Sequence, residues 1–187
     1  MLSFLLIQGI LLILIILLLY LLSWFWPPDS PWAPWWSTDR KTALIMCKMA
    51  KVKKNDIIYD LGCGEGTALI TAAKEYGSKG VGVEIDPWRA WYARSLVNLF
   101  GLQDKITIIR QDLFKQCIEE ASVVFIYLVP KAIQRLKRKI LSELKPGTRV
   151  ICYRYKIPYL NLISEDKERV VYVYEIPKRA KTKSRIK

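Results

Sequence analysis

The stretch Ile57-Ile58-Tyr59-Asp60-Leu61-Gly62-Cys63-Gly64-Glu65-Gly66 decides the architecture of this chain. A short apolar run ends in three glycines on alternate positions, as a strand buried on both faces does where it turns into a helix. Around it, strand and helix periods alternate. The spacing predicts a helix over 39–51, capped by Thr38 or Asp39, with Ala43, Leu44, Met46, Cys47 and Ala50 as its apolar stripe. Beyond the strand at 57–61, helices are expected at 66–76, 87–100 and 131–144. Strands are expected at 80–85, 105–110, 122–128 and 148–154. That order predicts an α/β domain, a parallel sheet with helices on both faces. Val170-Val171-Tyr172-Val173-Tyr174 is the clearest strand of the remainder and is expected to close the sheet in an antiparallel edge hairpin.

Residues 1–28 carry no charged side chain. A helix from Leu2 to Trp26 would rise ~37 Å, more than the ~30 Å hydrocarbon core of a bilayer. Trp24 and Trp26 close the run and Pro27-Pro28 stop the helix. A cleaved signal peptide is the alternative, but no basic region precedes the run and no small-residue cleavage site follows it. A buried core helix is a weaker rival, since so small a domain has little interior to enclose it. The expected organisation is a transmembrane anchor (1–26), a Pro/Trp-rich linker (27–37), a catalytic domain (38–176) and a basic tail (177–187).

With 30 Lys and Arg against 17 Asp and Glu, the chain has a net charge of +13. Basic residues such as Arg40 and Lys41 follow the anchor, so the positive-inside rule predicts a cytoplasmic domain on a single-pass protein. A mitochondrial membrane is the alternative, although Met1 opens on the apolar run without an Arg-rich amphipathic leader. The charge fits anionic lipid headgroups beside an anchor, and leaves nucleic acid as the less economical partner. The basic helix around Lys131, Arg135, Lys137, Arg138 and Lys139 reads as a solvated or membrane-facing surface. Cys47, Cys63, Cys117 and Cys152 show no paired spacing and read as reduced thiols. The chain has no histidine, which excludes histidine-based triads and His-containing metal sites. No metal is expected.

In an open parallel sheet, ligands bind beyond the carboxyl ends of the strands at the switch point. The glycines Gly62, Gly64 and Gly66 remove the Cβ atoms that would keep a ligand from the backbone there. Glu84 ends the second strand, where a carboxylate can accept two hydrogen bonds from ribose hydroxyls. Asp112 ends the third, where a carboxylate can take a hydrogen bond from an adenine amino group. Ile85 and Leu113 are placed to sandwich the ring. Asp60 and Glu65 flank the glycines, and their charge would repel a pyrophosphate. It would suit a ligand carrying an ammonium and a sulfonium, and S-adenosyl-L-methionine is that ligand.

Asp60–Gly66 resembles the first motif of class I methyltransferases. Gly82-Val83-Glu84-Ile85-Asp86-Pro87-Trp88, with Trp91-Tyr92-Ala93-Arg94, is similar to the lysine methyltransferases that modify the adenine nucleotide translocase and the c subunit of ATP synthase. The likeness continues through Asp112-Leu113, Val123-Val124-Phe125 to Val129-Pro130, and Arg149-Val150-Ile151 to Arg154 and Pro158. It covers roughly residues 33–158. The resemblance implies a Rossmann-like class I methyltransferase fold with an antiparallel edge strand, and cofactor roles for Asp60, Gly62, Gly64, Glu84 and Asp112. It also implies a protein-lysine N-methyltransferase with a membrane-protein substrate. The segment Ala33–Thr38 matches the family only loosely, and the chain after Pro158 not at all.

Tyr127, at the end of the fourth strand, is the candidate for orienting an acceptor amine, an ordinary sheet aromatic being the alternative. Trp35 and Trp36 would wall an acceptor channel or rest at the membrane surface. Arg154 would clamp a backbone or carboxylate, or lie at the surface. Trp88 and Trp91 read as packing residues rather than ligand contacts. Methylation of a lipid, a small molecule or RNA, and a non-catalytic tethered scaffold, are the other functions these residues leave open.

Overall fold

The computed structural model describes residues 2–25 and 38–177. The linker with Trp35 and Trp36, and the tail from Lys178 onward, lie outside the described residues. The chain divides into two compact units, Met1–Pro31 and Trp32–Lys187. The first holds α1 (Leu2–Phe25). Among the described residues no helix is long and apolar enough to cross a membrane. The side chains described over Leu6 to Leu21 are all exposed.

The second unit runs α2 (Arg40–Met49), β1 (Ile57–Leu61), α3 (Thr67–Tyr76), β2 (Lys79–Glu84), α4 (Pro87–Leu99), β3 (Ile106–Arg110) and β4 (Val123–Ile126). It continues with α5 (Pro130–Glu143), β5 (Arg149–Tyr153), β6 (Leu162–Asp166) and β7 (Val171–Glu175). The sheet order is β3-β2-β1-β4-β5-β7-β6. The first five strands pair in parallel, and β7 lies antiparallel between β5 and β6. This is the Rossmann-like class I methyltransferase fold, and the edge hairpin is present.

Helices cover both faces, but unequally. α2, α3 and α4 bury Met46, Leu69 and Ala93 with Ile58 and Phe125 on one face. On the other, α5 stands alone with Leu136 and Ile140, and loops fill the rest through Ile118, Ile157 and Leu160. The β3–β4 crossover contains no helix. Its buried Ile118 holds it down, with the Ile118 N–H donating to Glu143 Oε2 of α5 at 3.0 Å. Gly82 is packing-driven: a Cβ there would lie 2.7 Å from Cys63 Sγ, so β2 and the glycine loop approach too closely for any side chain.

Asp39, one of the two expected caps, closes the start of α2, its carboxylate accepting the Thr42 N–H at 2.9 Å. One expectation needs correction: Trp88 and Trp91 do not pack inside; they are 46% and 60% exposed. The reason is periodicity. Ala90, Ala93 and Val97 take the buried face of α4, which turns Trp88 and Trp91 outward.

At the amino end of the sheet, Asp56 ties the domain together. Its Oδ1 accepts the Ser122 hydroxyl at 2.7 Å and also pairs with Arg149. Its Oδ2 takes the Lys53 N–H at 2.7 Å, and Arg149 donates to the Ala50 and Lys51 carbonyls that end α2. Asp56→Ala would take the carboxylate partner from the half-buried Arg149 guanidinium and the half-buried Ser122 hydroxyl. A loss of about 3 kcal/mol is expected, read as a lower urea midpoint with unchanged slope.

Candidate functional site

The carboxyl ends of β1 and β4 open onto one crevice, and the ends of β2 and β3, with Glu84 and Asp112, follow on the other side of β1. Past Leu61 the chain turns through Gly62, Gly64 and Gly66, whose φ angles of 85°, 53° and 78° lie in the left-handed region that favours glycine. The turn is fastened to β2, since Gly62 N and Cys63 N both donate to the Val83 carbonyl, at 2.8 and 3.0 Å. Gly66 caps α3 without a side-chain bond. A Cβ built on Gly64 would meet nothing within 4 Å, so this backbone faces open space.

Glu84 is 6% exposed, and its carboxylate is held at both oxygens. Oε2 accepts the Gly64 N–H and Oε1 the Asp86 N–H, each at 2.9 Å. Asp86 in turn caps α4 by accepting the Trp88 and Arg89 N–H groups. One carboxylate thus joins the glycine loop to the start of α4.

Asp60 lies beneath the loop, 8% exposed. Burial, with a smaller push from the Glu84 charge, raises its carboxyl to about 7. Burial and the same two acids raise the neighbouring Cys63 thiol well above its ordinary value, and burial takes Cys47 and Cys152 to about 12. These three buried thiols stay protonated at neutral pH and are poor nucleophiles.

Asp112 is half-buried past β3, where one carboxylate oxygen accepts the Phe114 N–H at 2.9 Å. The register pairs Glu84 with Arg110, and Gln111 N donates to the Glu84 carbonyl. The two strand ends therefore run side by side, which brings Ile85 close to Asp112 in the fold. Ile85 and Leu113 are both half-buried, and Leu113 packs on the α5 side of the sheet.

Tyr127 sits one residue beyond β4 rather than within it. Its ring meets Tyr153 edge-on at 4.6 Å between centroids. Burial raises its hydroxyl above the ordinary value, while the charge and hydrogen bond of Arg154 pull the other way. Arg154 leaves β5 at φ 72° with its N–H on the Val170 carbonyl, and Val170 is itself at φ 57°. For a β-branched residue that backbone is strained, and it holds Arg154 at the carboxyl edge beside Tyr127.

The structure brings Asp60, Gly62, Gly64, Glu65 and Tyr127 into one crevice wall. Thr38, Met46, Thr67 and Phe125 join them there, and sequence reasoning gives none of these a site role. The helical pattern marks Thr38 as a cap and Met46 as core. Only the packing of α2 against α3 places them over the glycine loop. The substrate-channel candidates Trp35 and Trp36 lie outside the described residues.

The family model described as the ANTKMT methyltransferase domain matches residues 60–164. A protein-lysine N-methyltransferase of Saccharolobus islandicus is 40% identical over 131 residues, 70% of this chain and 80% of that protein. A Xenopus laevis lysine N-methyltransferase of the ATP synthase c subunit is 33% identical over 68% of this chain, which spans 54% of that relative. Among solved structures, an RNA methyltransferase from Salinibacter ruber in complex with S-adenosyl-L-homocysteine superposes with a TM-score of 0.75 at 34% identity. That match covers 78% of this chain and 96% of the other.

Proposed function

This chain belongs to the ANTKMT methyltransferase domain family and is an S-adenosyl-L-methionine-dependent methyltransferase, and from that premise we propose that its acceptor is the ε-amine of a lysine on a membrane protein. The observation that carries the reading is the acid-lined glycine loop: Asp60, Glu65 and Glu84 surround an open backbone, an environment that favours a cationic ligand. The names of the Saccharolobus and Xenopus relatives support lysine as the acceptor.

Bound there, S-adenosyl-L-methionine supplies an electrophilic methyl group on a sulfonium. In the proposed site Glu84 accepts the ribose hydroxyls, and Asp112 takes the adenine amino group with Ile85 and Leu113 against the ring. Asp60 and Glu65 balance positive charge, and Gly64, with open space where a Cβ would stand, lets the ligand lie on the backbone. An acceptor lysine must lose its proton first. Burial in the crevice beside a positive sulfur disfavours the ammonium on both counts. Tyr127, protonated at neutral pH, accepts an N–H of the neutral amine and turns its lone pair toward the methyl. Arg154 holds the Tyr127 hydroxyl in place. Positioning of this kind is worth up to ~7–11 kcal/mol in favourable systems.

Tyr127→Phe is expected to lower kcat about ten- to hundredfold, the loss of one transition-state hydrogen bond worth ~1.5–3 kcal/mol. Cofactor affinity should stay within twofold of the parent. An equal fall in cofactor affinity would place Tyr127 outside the acceptor path.

We read α1, 24 residues and uncharged, as a single membrane anchor with the catalytic domain on the cytoplasmic side. Membranes incubated with methyl-labelled cofactor and this protein should carry label on lysines of an embedded polypeptide. Label confined to lipid or RNA would reject the lysine reading. RNA is the second reading, favoured by the net charge of +13 and by the likeness to the Salinibacter RNA methyltransferase.

A further inference from the structure

We infer that the outward face of the first turns of α4, formed by Trp88, Trp91 and Tyr92, is a membrane-docking surface that seats in the headgroup layer of an anionic bilayer beside the cofactor crevice. The inference rests on the anchored reading of α1 and adds a second contact to it.

The spacing i, i+3 and i+4 sets the three rings on one side of the helix. They are 46%, 60% and 46% exposed, a cost that a water-facing helix would have no reason to carry. Indole and phenol rings have an apolar body and a polar edge, and they concentrate where hydrocarbon gives way to headgroups. Arg89 and Arg94 lie on the same two turns, which carry no acid after Asp86. The whole chain, at +13, complements an anionic surface.

Reach and position make lipid the occupant. Only residues 26–37 separate α1 from Thr38, and even fully extended such a tether spans about 40 Å. With α1 in a bilayer, the domain cannot leave the surface by more than its own diameter or so. The patch is also at the working edge of the sheet. Asp86, which caps α4 through the Trp88 and Arg89 N–H groups, donates its own N–H to Glu84. Seating these rings in the headgroup layer would bring the crevice to the depth where a lysine flanking a membrane span lies.

A nitroxide depth measurement tests this on the full chain in phosphatidylcholine/phosphatidylglycerol vesicles. Among the described cysteines only Cys117 is exposed, so labels go into a Cys117→Ser background. Three single labels are compared: Trp91→Cys in the patch, Asp104→Cys before β3 at the opposite end of the sheet, and Ile13→Cys in α1. Oxygen should broaden the position 91 label more than a water-soluble nickel chelate does, with the order reversed at 104. Chelate-dominated relaxation at 91, with 13 shielded, overturns the docking surface and leaves the anchor standing. Chelate-dominated relaxation at 13 overturns both. Dipolar broadening between labels at 91 would assign the patch to a second copy and overturn the lipid assignment. None of these readings depends on the methyl acceptor, so failure of the lysine proposal is separately visible.

Discussion

Glu84→Ala is expected to lower the affinity for S-adenosyl-L-methionine by at least a hundredfold. In the proposed site the lost interactions are hydrogen bonds to a charged acceptor, each worth ~1.5–3 kcal/mol, and two of them correspond to about two to four orders of magnitude. A second loss adds to the first. The Gly64 and Asp86 N–H groups, both held by Glu84 at 2.9 Å, would have no acceptor, and the loop and the start of α4 would no longer be coupled. Glu84→Gln separates the two effects. Its amide keeps one acceptor oxygen but turns an NH2 toward a backbone donor, so affinity should fall almost as far. Titration calorimetry with S-adenosyl-L-homocysteine reads both variants. Binding within threefold of the parent for Glu84→Ala would remove Glu84 from the cofactor site.

Asp60 gives the second large effect, in pH dependence. Its carboxyl is raised from 3.8 to about 7 by burial first and the Glu84 charge second. Between those two values the folded protein holds a proton that the unfolded chain would release. Stability from this group is therefore greatest at the acid end and is lost as pH rises toward 7, by up to ~1.4 kcal/mol per pH unit. Above about 7 the penalty is constant. A cationic ligand favours the ionised form, so its affinity should climb from pH 5.5 to pH 8, with proton release on binding below neutrality. Asp60→Asn should abolish that part of the pH dependence and raise the melting temperature of the ligand-free protein above pH 7, while weakening the cofactor at pH 8. A pH-independent affinity in the parent, or an Asn variant that binds as tightly at pH 8, would mean that Asp60 stays clear of the ligand's charge.

The strands are legible because buried parallel strands are short, uninterrupted and apolar. β1 is expected at 57–61 and occupies Ile57–Leu61, and β7, expected at 170–174, occupies Val171–Glu175. β6 does not emerge from the sequence. Leu162–Asp166 is an edge strand with its first three residues exposed and a register shift, so it has neither a buried run nor a clean alternation. Its place is visible only through its partner β7. The outward turn of Trp88 and Trp91 escapes the sequence for a different reason. Large aromatics are usually the buried residues of a helix, but here three small or β-branched residues, Ala90, Ala93 and Val97, fill the tight contact with the sheet.

Of the candidate site, local sequence determined the parts that lie within one strand–loop–helix unit. Alternate glycines permit the left-handed turn after β1 whatever surrounds it, because the restriction they lift is within each residue's own backbone. An acid directly after an apolar strand must fall at the strand's end, so Glu84 and Asp112 could be placed without knowing the sheet order. Tertiary structure alone decided what stands opposite them. Met46 and Thr38 reach the crevice only because α2 packs on α3, and Arg154 reaches Tyr127 only because β5 runs beside β4 and the strained Val170 backbone receives it. The titration of Asp60 belongs to the same class. Its shift comes from lost hydration and from a charge on a neighbouring strand, and both depend on distances through space that no separation along the chain encodes.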